Sequence, residues 1–454
     1  MPVLIYVVAF LTRAVHDVRP RLLVAVAALA AFCLPVAAQE FTTLKGHGGP
    51  IMGIATSEVD QVATASFDNS VGRWENDTPV WLEGHTAAVN AVLFLDERHV
   101  VSAGDDNSVR LWPSDGAAPV LLGQHTAKVV SLDYNAATQT IASASWDGTI
   151  GLFRLAPDGN RLRESGMTQL RHGAGVNAVA FSQDGTRIYA ASTDGSIHVW
   201  TLEDGNKRPL ARHGFGVNEL TLNEGAGWLA YGAVDGGTRV IDVDTGAQIA
   251  DFTLERRPVL AMAYHADTHQ LAVGDGHGFI MMLDTAEWRI ARDFRATRRG
   301  PVWALAFSRN GSIIHAGGLD DVVYSWPVAL LDKFEPGISG ARSFLRDAQT
   351  MPNGERQFMR KCSICHALEP GPSRKAGPTL HGVFGRKAGT VDGYRYSDIL
   401  DGSDIIWDET TIDALFDQGP DHFIPGSKMP MQVIAGADDR GDLIKFLQRS
   451  TEED

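Results

Sequence analysis

The stretch VSAGDDNSVRLW, Val101–Trp112, reads as two short strands around a tight Asp-Asn turn, ending on an aromatic residue. The pattern recurs. ATASFDNSVGRW ends at Trp74, ASASWDGTIGLF at Phe153 and YAASTDGSIHVW at Trp200. YGAVDGGTRVID runs around Ile241, VGDGHGFIMMLD around Leu283, and HAGGLDDVVYSW ends at Trp326. The intervals between these ends are 38, 41, 47, 41, 42 and 43 residues. Six residues before each end stand Asp68, Asp106, Asp147, Asp194, Asp235, His277 and Asp320. Upstream of the first five lie His47, His85, His125, His172 and His213. A period of this length marks a repeat architecture, in which each unit buries its apolar face against the next.

The whole chain agrees with an extended β-rich protein carrying a second domain. Its 454 residues exceed one ordinary core, and its 47 glycines suit short strands joined by tight turns. The net charge of −15 lacks the basic footprint of a nucleic-acid binder, so no nucleic-acid partner is expected. At the N-terminus, Arg13, Arg19 and Arg21 precede the apolar run LLVAVAALAAFCLPVAA, which ends Val36-Ala37-Ala38. This reads as a signal peptide over residues 1–38 and a periplasmic location, with a retained membrane anchor as the alternative. Cleavage there removes Cys33 and leaves Cys362 and Cys365 as the mature cysteines, too few for a disulfide framework.

The seven units resemble the WD40 family over roughly residues 41–328. The resemblance implies an all-β, seven-bladed propeller over residues 39–329, a closed ring that protects its strand edges. It also implies that Phe41–Leu44 supplies the strand completing the last blade. In such blades the histidine, the turn aspartate, a Ser or Thr and the tryptophan form one hydrogen-bond chain. His47, Thr64, Asp68 and Trp74 match it, as do His85, Ser102, Asp106 and Trp112, so these histidines are read as structural. The ring is expected to act as a docking surface for a protein partner.

Beyond Trp326 the repeat stops. Residues 330–350 read as a linker, and residues 351–454 as a separate domain opening on an amphipathic helix with Phe358 turned inward. Its string Cys362-Ser-Ile-Cys365-His366 has several readings. Structural zinc wants four ligands, and no second Cys or His pair has matching spacing. A redox dithiol wants a βαβ setting, which is absent. The remaining reading, C-x-x-C-H, is the c-type haem attachment signature.

GPTLHGVFGRKAG (377–389), GYRYSD (393–398), IIWDETTIDALF (405–416) and FIPGSKMP (423–430) follow it. In order and spacing they resemble the class I cytochromes c of the mitochondrial and α-proteobacterial type. The resemblance implies an all-α domain with one covalently attached haem c. Cys362 and Cys365 would hold it, with His366 and Met429 as axial metal ligands and Met431 as the rival to Met429. Pro378 would offer a carbonyl to His366, and Tyr396 and Trp407 would meet a propionate. The family's tyrosine near the axial methionine is replaced here by Ala414-Leu415-Phe416. Filled axial positions favour single-electron transfer over catalysis. The alternatives are a propeller haem oxidoreductase with a second cofactor and a redox-sensing scaffold.

Charge is uneven in this domain. Residues 353–387 hold seven Lys or Arg against two Glu, and residues 388–454 hold five against fifteen Asp or Glu. Lys375, Arg386, Lys387 and Lys428 are therefore expected to rim the haem edge and to meet an acidic redox partner.

Overall fold

A computed structural model describes residues 42–451 apart from 76, 115, 159–160, 256–257, 298–299, 334–350 and 372. The N-terminal leader and most of the expected linker lie outside the described residues.

The repeats become sheets because each unit carries a half-buried inner strand, two strands of largely buried small and β-branched residues, and a mostly exposed outer strand. In the first unit these are β2 (Ile51–Thr56), β3 (Val62–Ser66), β4 (Ser70–Glu75) and β5 (Thr78–Glu83). All five residues of β3, VATAS, are buried, whereas none of the residues of β5, TPVWLE, is. Among the described residues there are seven such four-stranded sheets, together a seven-bladed propeller. Blades 1 to 6 span residues 51–83, 89–124, 129–171, 176–212, 217–251 and 259–295. Blade 7 takes three strands from residues 302–327 and its fourth from β1 (Thr42–Lys45), which pairs with Val322–Pro327. The ring therefore closes with the strand expected from the sequence, shifted by one residue. Leu44, 5% exposed, packs in one cluster with Trp74 of blade 1 and Ala304 and Val323 of blade 7.

A second regularity was not read from the sequence. The innermost strand of every blade carries a β-bulge at the same place, between Ile51 and Gly53 in blade 1 and between Val302 and Ala304 in blade 7. A bulge turns one side chain out of the ladder. In three blades that residue is asparagine, and its amide donates to the next blade. Asn90 reaches the Val129 carbonyl at 3.0 Å, Asn177 that of Val217 at 2.9 Å, and Asn218 that of Val259 at 2.8 Å.

The polar chains form in blades 1 and 2. His47 Nδ1 donates to Asp68 Oδ2 at 2.9 Å, and its Nε2 accepts the Thr64 hydroxyl at 2.7 Å. Trp74 Nε1 donates to that same oxygen at 2.9 Å. His85, Ser102, Asp106 and Trp112 repeat the arrangement, with 2.7 Å from Ser102 Oγ to each ring nitrogen. Burial alone raises the Asp106 pKa, but the hydrogen bonds from His85 and Ser108 outweigh it and bring it down to about 2. In blade 3, His125 meets Ser143, Asp147 and Thr149. Blade 5 turns its ring the other way: His213 Nε2 donates to Asp235 at 2.9 Å.

Blade 4 departs from the expectation that the repeat histidines are hydrogen-bonded. Ala190, paired with His198, stands where Thr64 and Ser102 stand in their blades. Without that hydroxyl, neither ring nitrogen of His172 nor Nε1 of Trp200 finds a partner among the described residues. His172 instead packs edge-on against His198, ring centres 4.9 Å apart.

The C-terminal domain is helical. Helix α1 (Asn353–Lys361) crosses α4 (Ala437–Thr451), and α2 (Glu409–Gln418) and the short α3 (Pro420–Phe423) complete the set. Asp408 caps α2 through a capping box with Thr411. Gly354 makes the α1–α4 crossing close, since a Cβ there would collide with the Asp442 carbonyl. Phe358 is buried as expected and meets Phe446, ring centres 5.4 Å apart. Arg356 is half-buried and donates to Asn353 at 2.6 Å.

Candidate functional site

Helix α1 ends by handing its last carbonyls to the cysteine motif. Cys362 N donates to Phe358 O at 2.8 Å, and the amides of Cys365 and His366 both return to Cys362 O, at 3.0 and 2.9 Å. This tight turn puts both thiols and the imidazole on one wall of a cavity. Cys362 is 3% exposed and Cys365 half-buried, and the two are not disulfide-bonded. Burial pushes their thiols up to about 12 and about 11.

The segment after the motif orients the histidine. His366 Nδ1 donates to the Pro378 carbonyl at 2.7 Å. That bond fixes the tautomer and leaves Nε2 as a lone-pair donor. Burial, helped by Arg386 and Lys375, lowers the imidazole pKa and favours this neutral form. Gly377 lies directly against the ring; a Cβ there would strike Cε1 and stand 2.7 Å from Nδ1 and 2.8 Å from Nε2.

The space between the lining residues, open solvent included, is about 1400 Å³. Cys362, Cys365, His366, Pro378, Tyr396, Trp407 and Met429 all line it, so every candidate site residue comes to one place. The two methionines separate. Met429 is half-buried and packs on the helical core, whereas Met431 is 49% exposed, outside the cavity lining. Leu415 and Phe416 line the wall without a hydroxyl. Among the described residues no group of three or more His, Cys, Asp or Glu side chains is gathered as for a metal ion. A zinc reading of the cysteine pair has no such set to draw on.

The residues fit a planar, largely apolar group carrying iron and polar edges. Two thiols flank one wall, a histidine whose Nε2 is left unprotonated by the Pro378 bond stands beside them, and a thioether sits in the lining. The Gly377 cradle keeps the imidazole seated. Ser397 Oγ is buried in the cavity wall with no hydrogen-bond partner among the described residues, a polar atom suited to a bound group. Tyr394 was not singled out in the sequence. Its hydroxyl donates to the Ala376 carbonyl at 2.7 Å, its ring meets Tyr396 at 4.8 Å, and burial pushes its pKa to about 12.

The expected basic rim is altered. Arg386 is half-buried, and its guanidinium donates to the carbonyls of His381 at 2.6 Å and Thr379 at 2.8 Å, bracing the loop after Pro378. Lys375 donates to Ser363 O at 3.0 Å, Lys387 pairs with Asp404 at 3.0 Å, and Lys428 reaches Arg395 O at 3.2 Å. Of these, Lys387 and Lys428 are exposed.

Comparison with known proteins agrees with this division. Residues 78–113, 120–154, 165–201 and 289–327 match the family described as WD domain, G-beta repeat. Residues 352–451 match the family described as Cytochrome c. The chain is 42% identical over 100 residues to cytochrome c of Cochliobolus lunatus, covering 22% of this chain and 90% of that protein. It is 42% identical over 99 residues to cytochrome c of Arabidopsis thaliana, covering 22% and 87%, and 37% identical over 101 residues to that of Ginkgo biloba, covering 22% and 88%. Through its C-terminal domain, homologous to mitochondrial cytochrome c and preceded by a seven-bladed WD40 propeller, the chain belongs to the cytochrome c family.

Proposed function

We propose that this chain is an exported carrier of single electrons, with one covalently held haem c in the C-terminal domain and the propeller as its protein-docking module. That the cytochrome c domain is a haem-based electron carrier follows from the family. The observation that carries the finer reading is the convergence of Cys362, Cys365, His366 and Met429 on a single cavity. A c-type haem bound there supplies reversible one-electron exchange at its iron.

The chain's own residues have definite tasks in this reading. Cys362 and Cys365 would hold the group by two thioether bonds. His366 presents Nε2, oriented by the Pro378 carbonyl, and Met429 presents its sulfur. Tyr396 and Trp407 stand in the lining as the polar edge for a propionate. A haem held by both His366 and Met429 would have no open site for substrate, which would favour electron transfer over catalysis. The basic and apolar leader over residues 1–38 supports export and a periplasmic location. The docking role of the propeller is supported by its closed ring with loops on both faces.

The test is an absorption spectrum of purified full-length protein, oxidised and reduced, with and without carbon monoxide. One covalent haem per chain, insensitive to carbon monoxide, supports the reading. Met429→Ala should open the site to carbon monoxide and Met431→Ala should leave it closed. Covalent haem persisting in a Cys362→Ala, Cys365→Ala double variant would overturn the attachment assignment.

A further inference from the structure

The haem-binding cavity is not bounded by the helical domain alone. Phe67 and Asn69 from the turn between β3 and β4, Thr86 and Ala88 from the loop entering blade 2, and Asp105 from the next turn also line it. All of these come from the turns and entry loops of two adjacent blades, so they share one face of the ring. Beside them Arg374, from the loop that follows the cysteine motif, reaches β5. Its guanidinium carbon lies 4.1 Å from the centre of the Trp81 ring, and Nη1 lies 2.9 Å from Glu83 Oε1. Gly48 meets the same residue from the other side: a Cβ there would collide with the Arg374 carbonyl.

We infer that the face of blades 1 and 2 is a docking surface for the chain's own cytochrome domain, closing the mouth of its haem cavity, with Arg374 as the latch. The inference rests on reading the cavity as a haem site. Three features carry it. The cavity is continuous across the two domains. The charges complement one another, since Glu83 of the propeller meets a segment, residues 353–387, holding seven cations against two acids. The latch is also built to release. Its carboxylate is 67% exposed and its guanidinium 34% exposed, so the ion pair is weakened by salt. A protein redox partner approaching from this side reaches the cavity only after the domains part, while the propeller keeps the carrier at hand.

Small-angle X-ray scattering on the haem-loaded full-length protein tests this. At low ionic strength the wild type should scatter as one compact particle. Arg374→Glu, which sets two carboxylates against each other, should raise the radius of gyration and the maximum dimension, and so should Gly48→Gln. Both variants should keep the wild-type visible spectrum, which shows that the haem domain is folded. The double reversal Arg374→Glu with Glu83→Arg should return toward the compact profile. An extended wild type, or an Arg374→Glu variant as compact as wild type, would overturn the docking. A double reversal that stays extended overturns the latch. Because scattering reports shape and not redox chemistry, a failure here is separate from a failure of the electron-carrier reading.

Discussion

Gly377 and His366 are in contact so close that no side chain fits between them: a Cβ on Gly377 would stand 2.7 Å from Nδ1 and 2.8 Å from Nε2 of the imidazole. The glycine acts as a back-plate. With the Pro378 carbonyl holding Nδ1, the ring has one orientation and its Nε2 one direction.

Gly377→Ala should therefore force the imidazole off that carbonyl. Overpacking of this kind costs about 1–3 kcal/mol. The expected result is a lower denaturation midpoint for the C-terminal domain and a shift in the visible bands of the haem-loaded protein. A variant with wild-type bands and midpoint would mean that the ring moves freely and that Gly377 does not seat it.

Ring closure makes a second test. Leu44 is the buried residue of β1 and touches residues of both blade 7 and blade 1. Leu44→Ala leaves a cavity at the seam and should cost about 2–4 kcal/mol in urea denaturation of the propeller. Leu93, partly buried in the second blade's cluster, is the control. If Leu44→Ala costs no more than Leu93→Ala, the seam carries no special share of the ring's stability.

Much of this could be read from the chain. The Asp-Asn and Asp-Gly turns were legible because the turn needs a left-handed residue, which Asn69 (φ 70°), Asn107 (φ 64°) and Gly148 (φ 80°) supply. The cysteine motif was legible because its chemistry fixes its spacing. The fourth strand of each blade was less legible, since exposed strands such as β5 carry no repeated buried pattern. The bulge asparagines and Gly354 were not legible, because their partners lie in other blades or on another helix and local pattern holds no record of them. The bracing role of Arg386 was hidden for a related reason. A cation in a glycine-rich loop looks solvated until the carbonyls that surround it are in place.

Acid should find a weak point in blade 4. Burial first, then the nearby charges of His198 and Lys207, lowers the His172 pKa from 6.5 to about 4, against a smaller opposing pull from Asp194. The unfolded chain takes up the proton near 6.5, while the folded protein resists until about 4. Stability is therefore whole above 6.5 and falls as pH drops from 6.5 to about 4, by about 1–2 kcal/mol after discounting for solvent screening. The stability of wild type relative to His172→Leu should fall as pH drops across this range. Parallel curves would show that His172 is not the group responsible.

The same blade offers a gain as well as a loss. In blades 1 and 2 a single hydroxyl, on Thr64 or Ser102, serves both the tryptophan and the histidine. In blade 4 that position is Ala190, and the buried nitrogens of His172 and Trp200 go without partners among the described residues. Leaving a buried donor unsatisfied costs about 1–3 kcal/mol, whereas a completed bond contributes about 1 kcal/mol. Ala190→Ser adds one oxygen to a strand already built from small residues, at the site where its neighbours carry one. The variant should raise the urea midpoint of the propeller, by about 1 kcal/mol in unfolding free energy. Ser102→Ala in blade 2 should lower it by at least as much, because it strands His85 and Trp112 together. A destabilised Ala190→Ser would show that the pocket between His172, His198 and Trp200 is too tight for a hydroxyl. Blade 4 would then have traded its polar chain for ring packing, and the 4.9 Å His172–His198 contact would be what holds it.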